Sequence, residues 1–163
     1  MTTDLQMFRV YIKASPEAIW EAITSPDWNA RYGYKSVSEY ELRAGGSYKA
    51  YATAEMRTFG MPEVVIDGEV LEADPPKKLV HTFHAYFSEE MTTEPGIVIT
   101  YTIEPEDNGG LTRLTVVTDT NDSPFTQAIV SGGDGKLTDG GGGYPFILSD
   151  LKSLLESGKS LQD

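Results

Sequence analysis

Over most of this chain apolar and polar residues alternate with a period of two, and near its end the period lengthens to that of a long helix. Between Tyr144 and Gly158, residues Ile147, Leu148, Leu151, Leu154 and Leu155 keep the spacing of one helical face. Ser149, Asp150, Lys152, Ser153, Glu156 and Ser157 fall on the other face. Pro145 suits the first turn, where its missing N–H is not needed, and Gly158 suits the left-handed position past the last turn. A helix with an unbroken aliphatic stripe needs a surface to bury it against. The period-two segments upstream supply that surface.

Leu5 to Lys13 reads as the first strand, with Phe8, Val10 and Ile12 on one face and Met7, Arg9 and Tyr11 on the other. Ser15, Pro16 and Glu17 then announce a helix: a side-chain cap, a residue preset for the first turn, and a negative charge at the positive helix end. Ile19, Trp20 and Ile23 form its buried side. Ser25-Pro26-Asp27 starts a short second helix, anchored by Trp28 and Tyr32. Strands are expected at 37–42, 47–54, 64–73, 78–87, 97–104 and 111–118, with a bulge near Gly68. Turns at 43–46, 74–77 and Asp107-Asn108-Gly109-Gly110, and loops at 58–62 and 88–95, join them. Residues 121–143 are irregular, with a helical turn at Gln127–Val130 and a glycine-rich segment at 131–143 expected to be a flexible linker. No internal repeat or second domain interrupts this order, so residues 1–163 read as one domain. Strand, two short helices, about six antiparallel strands and a long helix define an α+β grip, a curved sheet wrapped around the C-terminal helix.

Composition narrows the function without naming it. At 163 residues the chain can bury roughly two-thirds of its unfolded surface. Aliphatic runs such as Val64-Val65-Ile66 are too short to span a membrane, and no basic region leads into an apolar core at the N-terminus. The absence of cysteine excludes disulfides, thiolate nucleophiles and cysteine-ligated metals, and suits a reducing, cytoplasmic setting. The net charge of −12 repels phosphate, and no basic stripe reverses it, so neither nucleic acid nor an anionic membrane is expected as a partner.

Few residues suggest chemistry. His81 and His84, three apart on one strand, face opposite sides and cannot form a local metal pair; no metal or other cofactor is expected. His81 shares a face with Leu79, Phe83 and Phe87, the setting of a core or wall histidine more than of a general base. Glu89, Glu90 and Glu94 crowd one loop and Asp119 and Asp122 another, without calcium-loop spacing, and read as solvated charge. Glu55 and Arg57, near a strand end, suit either a ligand's polar group or a surface ion pair. Gly135-Lys136 runs into Leu137, and Gly158-Lys159-Ser160 follows a helix, so neither forms a phosphate loop. No Gly-x-Ser-x-Gly elbow occurs, and no catalytic residue is assigned.

Several short stretches go together: Ala14-Ser15-Pro16-Glu17-Ala18-Ile19-Trp20, Gly45-Gly46-Ser47-Tyr48, Gly68-Glu69-Val70, Asp74-Pro75-Pro76-Lys77-Lys78-Leu79-Val80, and Gly143-Tyr144-Pro145 leading into residues 148–156. In this order they resemble the START-like (SRPBCC, helix-grip) superfamily. Within it the chain is similar to bacterial proteins related to the C-terminal domain of the activator of heat-shock protein 90 ATPase. Each matching piece is a cap, a turn, a strand exit or a helix, so the resemblance bears on fold before function. It implies a cavity between sheet and C-terminal helix suited to a small, largely apolar ligand. The wall would be drawn from Tyr48, Ala50, Ala52, His81, Phe83, Ile99, Tyr101, Tyr144, Leu148, Leu151 and Leu155. Non-catalytic binding of such a molecule is the first function implied. A chaperone-related interaction module, with a chaperone as partner, is the second. A cyclase or hydrolase acting on an aromatic or polyketide-like substrate, with His81 or an acidic residue as base, is the third. The oligomeric state is left open.

Overall fold

The computed structural model describes residues 4–107, 109–133, 135–137 and 141–163. The chain runs β1 (Leu5–Ile12), α1 (Pro16–Thr24), α2 (Pro26–Asn29), β2 (Ser38–Tyr40), β3 (Ser47–Tyr51), α3 (Ala54–Thr58) and β4 (Val64–Asp74). It continues with β5 (Lys78–Ala85), α4 (Glu89–Thr93), β6 (Ile97–Pro105), β7 (Thr112–Asp119), α5 (Pro124–Ser131) and α6 (Gly143–Ser157). The strands form one sheet in the order β1-β7-β6-β5-β4-β3-β2, every neighbouring pair antiparallel. Helices α1 and α2 carry the chain from the β1 edge to the β2 edge, and the remaining strands meander back. Helix α6 packs against β1, α5 and α1. This is the α+β helix-grip arrangement that the order of elements predicts.

Strands β5 and β6 alternate buried and half-buried residues without a break. Period-two alternation therefore turns Leu79, His81, Phe83, Ile97, Ile99, Tyr101 and Ile103 inward, where Leu114 and Val116 of β7 join them. Helix α1 starts as its sequence dictates, with the Ser15 hydroxyl accepting from the Ala18 N–H at 3.1 Å and Pro16 in the first turn. Its end is closed from α2: the Asn29 amide donates to the carbonyls of Ala22 and Ile23 at 3.1 and 3.0 Å, and the buried Tyr32 hydroxyl to Ala22 at 2.8 Å. These are carbonyls of the last turn, which lack partners within the helix.

Several local expectations are corrected. The alternation from Ser47 ends at Tyr51, where the register with β4 shifts. Thr53 then caps α3, accepting from the Met56 N–H at 3.2 Å, and Glu55 and Arg57 stand exposed on that helix. The loop expected at 88–95 contains α4, capped by Ser88. Glu94, read as solvated, caps α5: its carboxylate accepts from the N–H of Phe125 at 2.7 Å, and from the N–H and hydroxyl of Thr126 at 2.9 and 2.7 Å. The helical turn at Gln127–Val130 is thereby part of a longer helix. The β4 bulge lies between Val70 and Glu72, past Gly68. Of the glycine-rich segment, residues 134 and 138–140 lie outside the described residues, as does Asn108 of the turn before β7. Its described ends run close together, the Gly141 N–H donating to the Lys136 carbonyl at 2.9 Å.

The largest correction is on α6. Asp150, placed on the polar face by periodicity, has no solvent exposure. Its Oδ1 accepts from the Ser160 hydroxyl at 2.7 Å and the Leu161 N–H at 2.6 Å. Its Oδ2 accepts from the Gly33 N–H at 2.9 Å and the Gln162 amide at 2.8 Å. Burial pushes the carboxyl pKa up, but these bonds, the Leu161 N–H foremost, outweigh it and hold the pKa below its ordinary value. Of the aliphatic stripe, Leu148, Leu151 and Leu154 are buried, while Ile147 and Leu155 are half-buried.

Candidate functional site

Between the sheet and α6 a run of aromatic and phenolic rings lies among the aliphatic core residues. Tyr40 of β2 and Tyr48 of β3 face each other in register and stack with ring centroids 4.8 Å apart. Tyr48 also meets His81 of β5 at 4.2 Å, although β4 runs between their strands. Gly68, the β4 residue opposite Tyr48, is fixed by the close approach of β5: a Cβ there would stand 2.1 Å from the Thr82 carbonyl. His81 stacks on Tyr101 of β6 at 5.9 Å, and the Tyr101 and Tyr144 hydroxyls are 2.8 Å apart. Phe8 of β1 packs on Tyr144, completing a chain of rings from β2 to β1.

The electrostatics of the cluster follow from its burial. His81 is fully buried, and its Nδ1 lies 2.8 Å from the Thr82 carbonyl. A carbonyl only accepts, so Nδ1 carries the proton and Nε2 presents a lone pair. That Nε2 has no hydrogen-bond partner among the described residues. Burial lowers the His81 pKa to about 4, against the small opposing effect of the Thr82 bond, so the ring is neutral at pH 7. Burial likewise pushes Tyr101 up to about 12, and Tyr40, Tyr48 and Tyr144 higher still. The site is therefore an uncharged, buried cluster of flat rings with one bare acceptor.

Of the expected wall, Tyr48, Ala50, His81, Phe83, Ile99, Tyr101, Tyr144, Leu148 and Leu151 are buried, and Ala52 and Leu155 are half-buried. The rings of Tyr48, His81, Phe83, Tyr101 and Tyr144 come together; Ala52 lies past the end of β3. His84 faces the other way, its ring edge-on to Tyr86 and its Nε2 3.1 Å from the Thr92 carbonyl. Sequence reading missed Tyr40. The signal was available, since the Arg43–Gly46 turn between two strands sets Tyr40 opposite Tyr48. Two clefts open at the margins of this interior. One of 340 Å³ lies beside α4 and α5, lined by Met91, Phe125, Ala128, Ile129 and glycines. Another of 250 Å³ lies between β1 and α6.

A sheet gripping a C-terminal helix over such an interior defines a START-like protein. The sequence profile of the family described as "Activator of Hsp90 ATPase homolog 1-like protein" matches residues 13–155, and the chain belongs to that family. Among solved structures it is similar to protein MLL2253 from Mesorhizobium loti, with TM-score 0.65 and 20% identity over 94% of this chain and 97% of that one. The Aha1 dimer from Colwellia psychrerythraea superposes with TM-score 0.63 at 19% identity, over 96% of this chain and 99% of that one. An HSP90 activator from Plasmodium falciparum gives TM-score 0.54 at 18% identity, over 97% and 91%. At these identities the likeness is one of fold. No curated protein sequence matches the chain. Among the described residues no helix is long and apolar enough to cross a membrane.

Proposed function

We propose that the protein binds a small, largely apolar molecule bearing one hydrogen-bond donor, held between the sheet and α6 and released unchanged. The observation that supports this reading is the bare Nε2 of His81 within a wall of aromatic rings. A buried acceptor left unpaired costs about 1–3 kcal/mol, and folded proteins keep few of them. A hydroxyl or N–H donor on a flat ligand recovers that cost, while the surrounding rings take up its apolar body. Catalysis is disfavoured by the same features. Desolvation makes His81 a weak base, and its Nδ1 bonds a backbone carbonyl instead of an orienting carboxylate.

Thermal unfolding with two probes tests the proposal. The melting temperature is expected to rise with 1-naphthol and to rise less with naphthalene, which lacks the donor. In His81→Leu the difference between the probes is expected to vanish. No rise with either probe, or a difference that survives in His81→Leu, contradicts the reading.

The alternative of a chaperone-related interaction module draws support from the family description and from the HSP90 activator among the structural neighbours. Its test is separate: a purified Hsp90-type chaperone either is retained by the immobilised chain and changes its ATPase rate, or is not.

A further inference from the structure

The two edges of the sheet are built differently. Strand β2 is three residues long and carries Glu39. Strand β1 is eight residues long, pairs with β7 in unbroken register, and contains no proline and no acidic residue. In a chain of net charge −12, the one charged residue within β1 is Arg9. Edge strands are ordinarily protected from pairing by charge, proline, a bulge or a covering element. Here only one end is covered. The Asp4 carbonyl accepts from the Thr120 N–H at 2.9 Å, so even-numbered residues turn their backbone groups toward β7 and odd-numbered ones turn theirs away. Helix α6 meets the outward groups at one end: Lys152 Nζ donates to the Tyr11 carbonyl at 2.7 Å, and Glu156 accepts from the Lys13 N–H at 2.8 Å. The outward backbone groups of Leu5, Met7 and Arg9 have no such partner among the described residues. The side chains of Leu5 and Met7 are 67% and 59% exposed. A groove of 250 Å³ runs beside this open stretch, lined by Phe8, Val10, Pro145 and Leu148.

We propose that this edge pairs with the same edge of a second copy of the chain, antiparallel about a two-fold axis at Met7. The open stretch is symmetric about that residue. Leu5 faces Arg9 of the second copy, Met7 faces Met7, and Arg9 faces Leu5. Each facing pair exchanges two backbone hydrogen bonds, so the outward groups of Leu5, Met7 and Arg9 are all used. The capped stretch from Tyr11 to Lys13 stays outside the pairing. Leu5 and Met7 of both copies merge into one apolar patch, and Gln6 of the second copy comes over Phe8 at the groove. Charge selects the occupant: two acidic chains meet with least repulsion where neither carries an acidic residue, and the arginines face leucines rather than each other. A pairing this short buries less than the roughly 1,200 Å² of stable interfaces, so the dimer is reversible and concentration-dependent.

Because the chain has no cysteine, Met7→Cys introduces a single thiol. Facing residues of a hydrogen-bonded antiparallel pair lie about 5.5 Å apart, within disulfide reach. Mild oxidation is expected to give a covalent dimer of Met7→Cys and none of Phe59→Cys, whose residue is 78% exposed beyond α3. Sedimentation velocity of the unaltered chain is expected to show a monomer–dimer shift as concentration rises through the micromolar range. Met7→Lys, which sets two ammonium groups at the axis, is expected to weaken that dimer at least tenfold while its melting temperature holds. Monomer at every concentration, equal cross-linking of the two cysteine variants, or a dimer indifferent to Met7→Lys overturns the proposal. So does a monomer that binds a synthetic peptide of the β1 sequence, which would assign the edge to another partner.

Discussion

The phenol oxygens of Tyr101 on β6 and Tyr144 on α6 lie 2.8 Å apart, a buried bond joining sheet to helix. One hydroxyl donates to the other, and burial keeps both protonated. Tyr144→Phe strands the Tyr101 hydroxyl, and Tyr101→Phe strands that of Tyr144. Either change is expected to cost about 1–3 kcal/mol. The double variant removes both polar groups and keeps both rings, so its cost is expected to fall short of the sum by at least about 0.5 kcal/mol. Urea unfolding of the four proteins checks this, and strictly additive costs contradict it.

Asp150 fixes the chain that follows α6. Asp150→Ala leaves the N–H groups of Gly33 and Leu161, the Ser160 hydroxyl and the Gln162 amide without their acceptor. A loss of about 2–4 kcal/mol is expected in urea unfolding, since several donors beneath the surface lose one charged partner. Hydrogen exchange at Gly33 and Leu161 is expected to accelerate in the same variant. A change confined to exposed-residue scale, within about 0.5 kcal/mol, contradicts the role given to this carboxylate.

His81 makes stability depend on pH with a definite sign. In the folded chain its pKa is lowered to about 4, against an ordinary value of 6.5, so between these values the unfolded state binds more protons. Stability is therefore full above about pH 6.5 and falls as pH drops toward 4, by about 3 kcal/mol at the full span. His81→Phe is expected to flatten the slope between pH 6.5 and 5. That window lies above the titration of Asp150 and Glu156, whose pKa values are lowered, and His84 is common to both proteins. An unchanged slope contradicts the buried neutral imidazole.

What the sequence made legible was whatever depends on local period and local capping. The Ser15-Pro16 start of α1, the alternation of β5 and β6, and the Leu148, Leu151, Leu154 stripe are all found where their residues predict. What it hid depends on chain arriving from elsewhere. Asp150 looks solvent-facing until residues 160–162 and Gly33 are folded over it, and Glu94 looks like surface charge until α5 is placed on its carboxylate. The interior site was half legible. Inward parity gave His81, Phe83 and Tyr101, whereas the meeting of Tyr48 with His81 joins two strands that are not neighbours in the sheet, which no period reveals.

The interior site is tested most directly at one atom. With the histidines labelled with ¹⁵N, a bare imidazole nitrogen resonates well downfield and moves upfield when it accepts a hydrogen bond. Titration with 1-naphthol is expected to move His81 Nε2 upfield and saturably, to leave His84 in place, and to have no counterpart with naphthalene. A His81 Nε2 resonance that stays fixed at saturating 1-naphthol, or that moves equally with naphthalene, contradicts a ligand donor at this nitrogen.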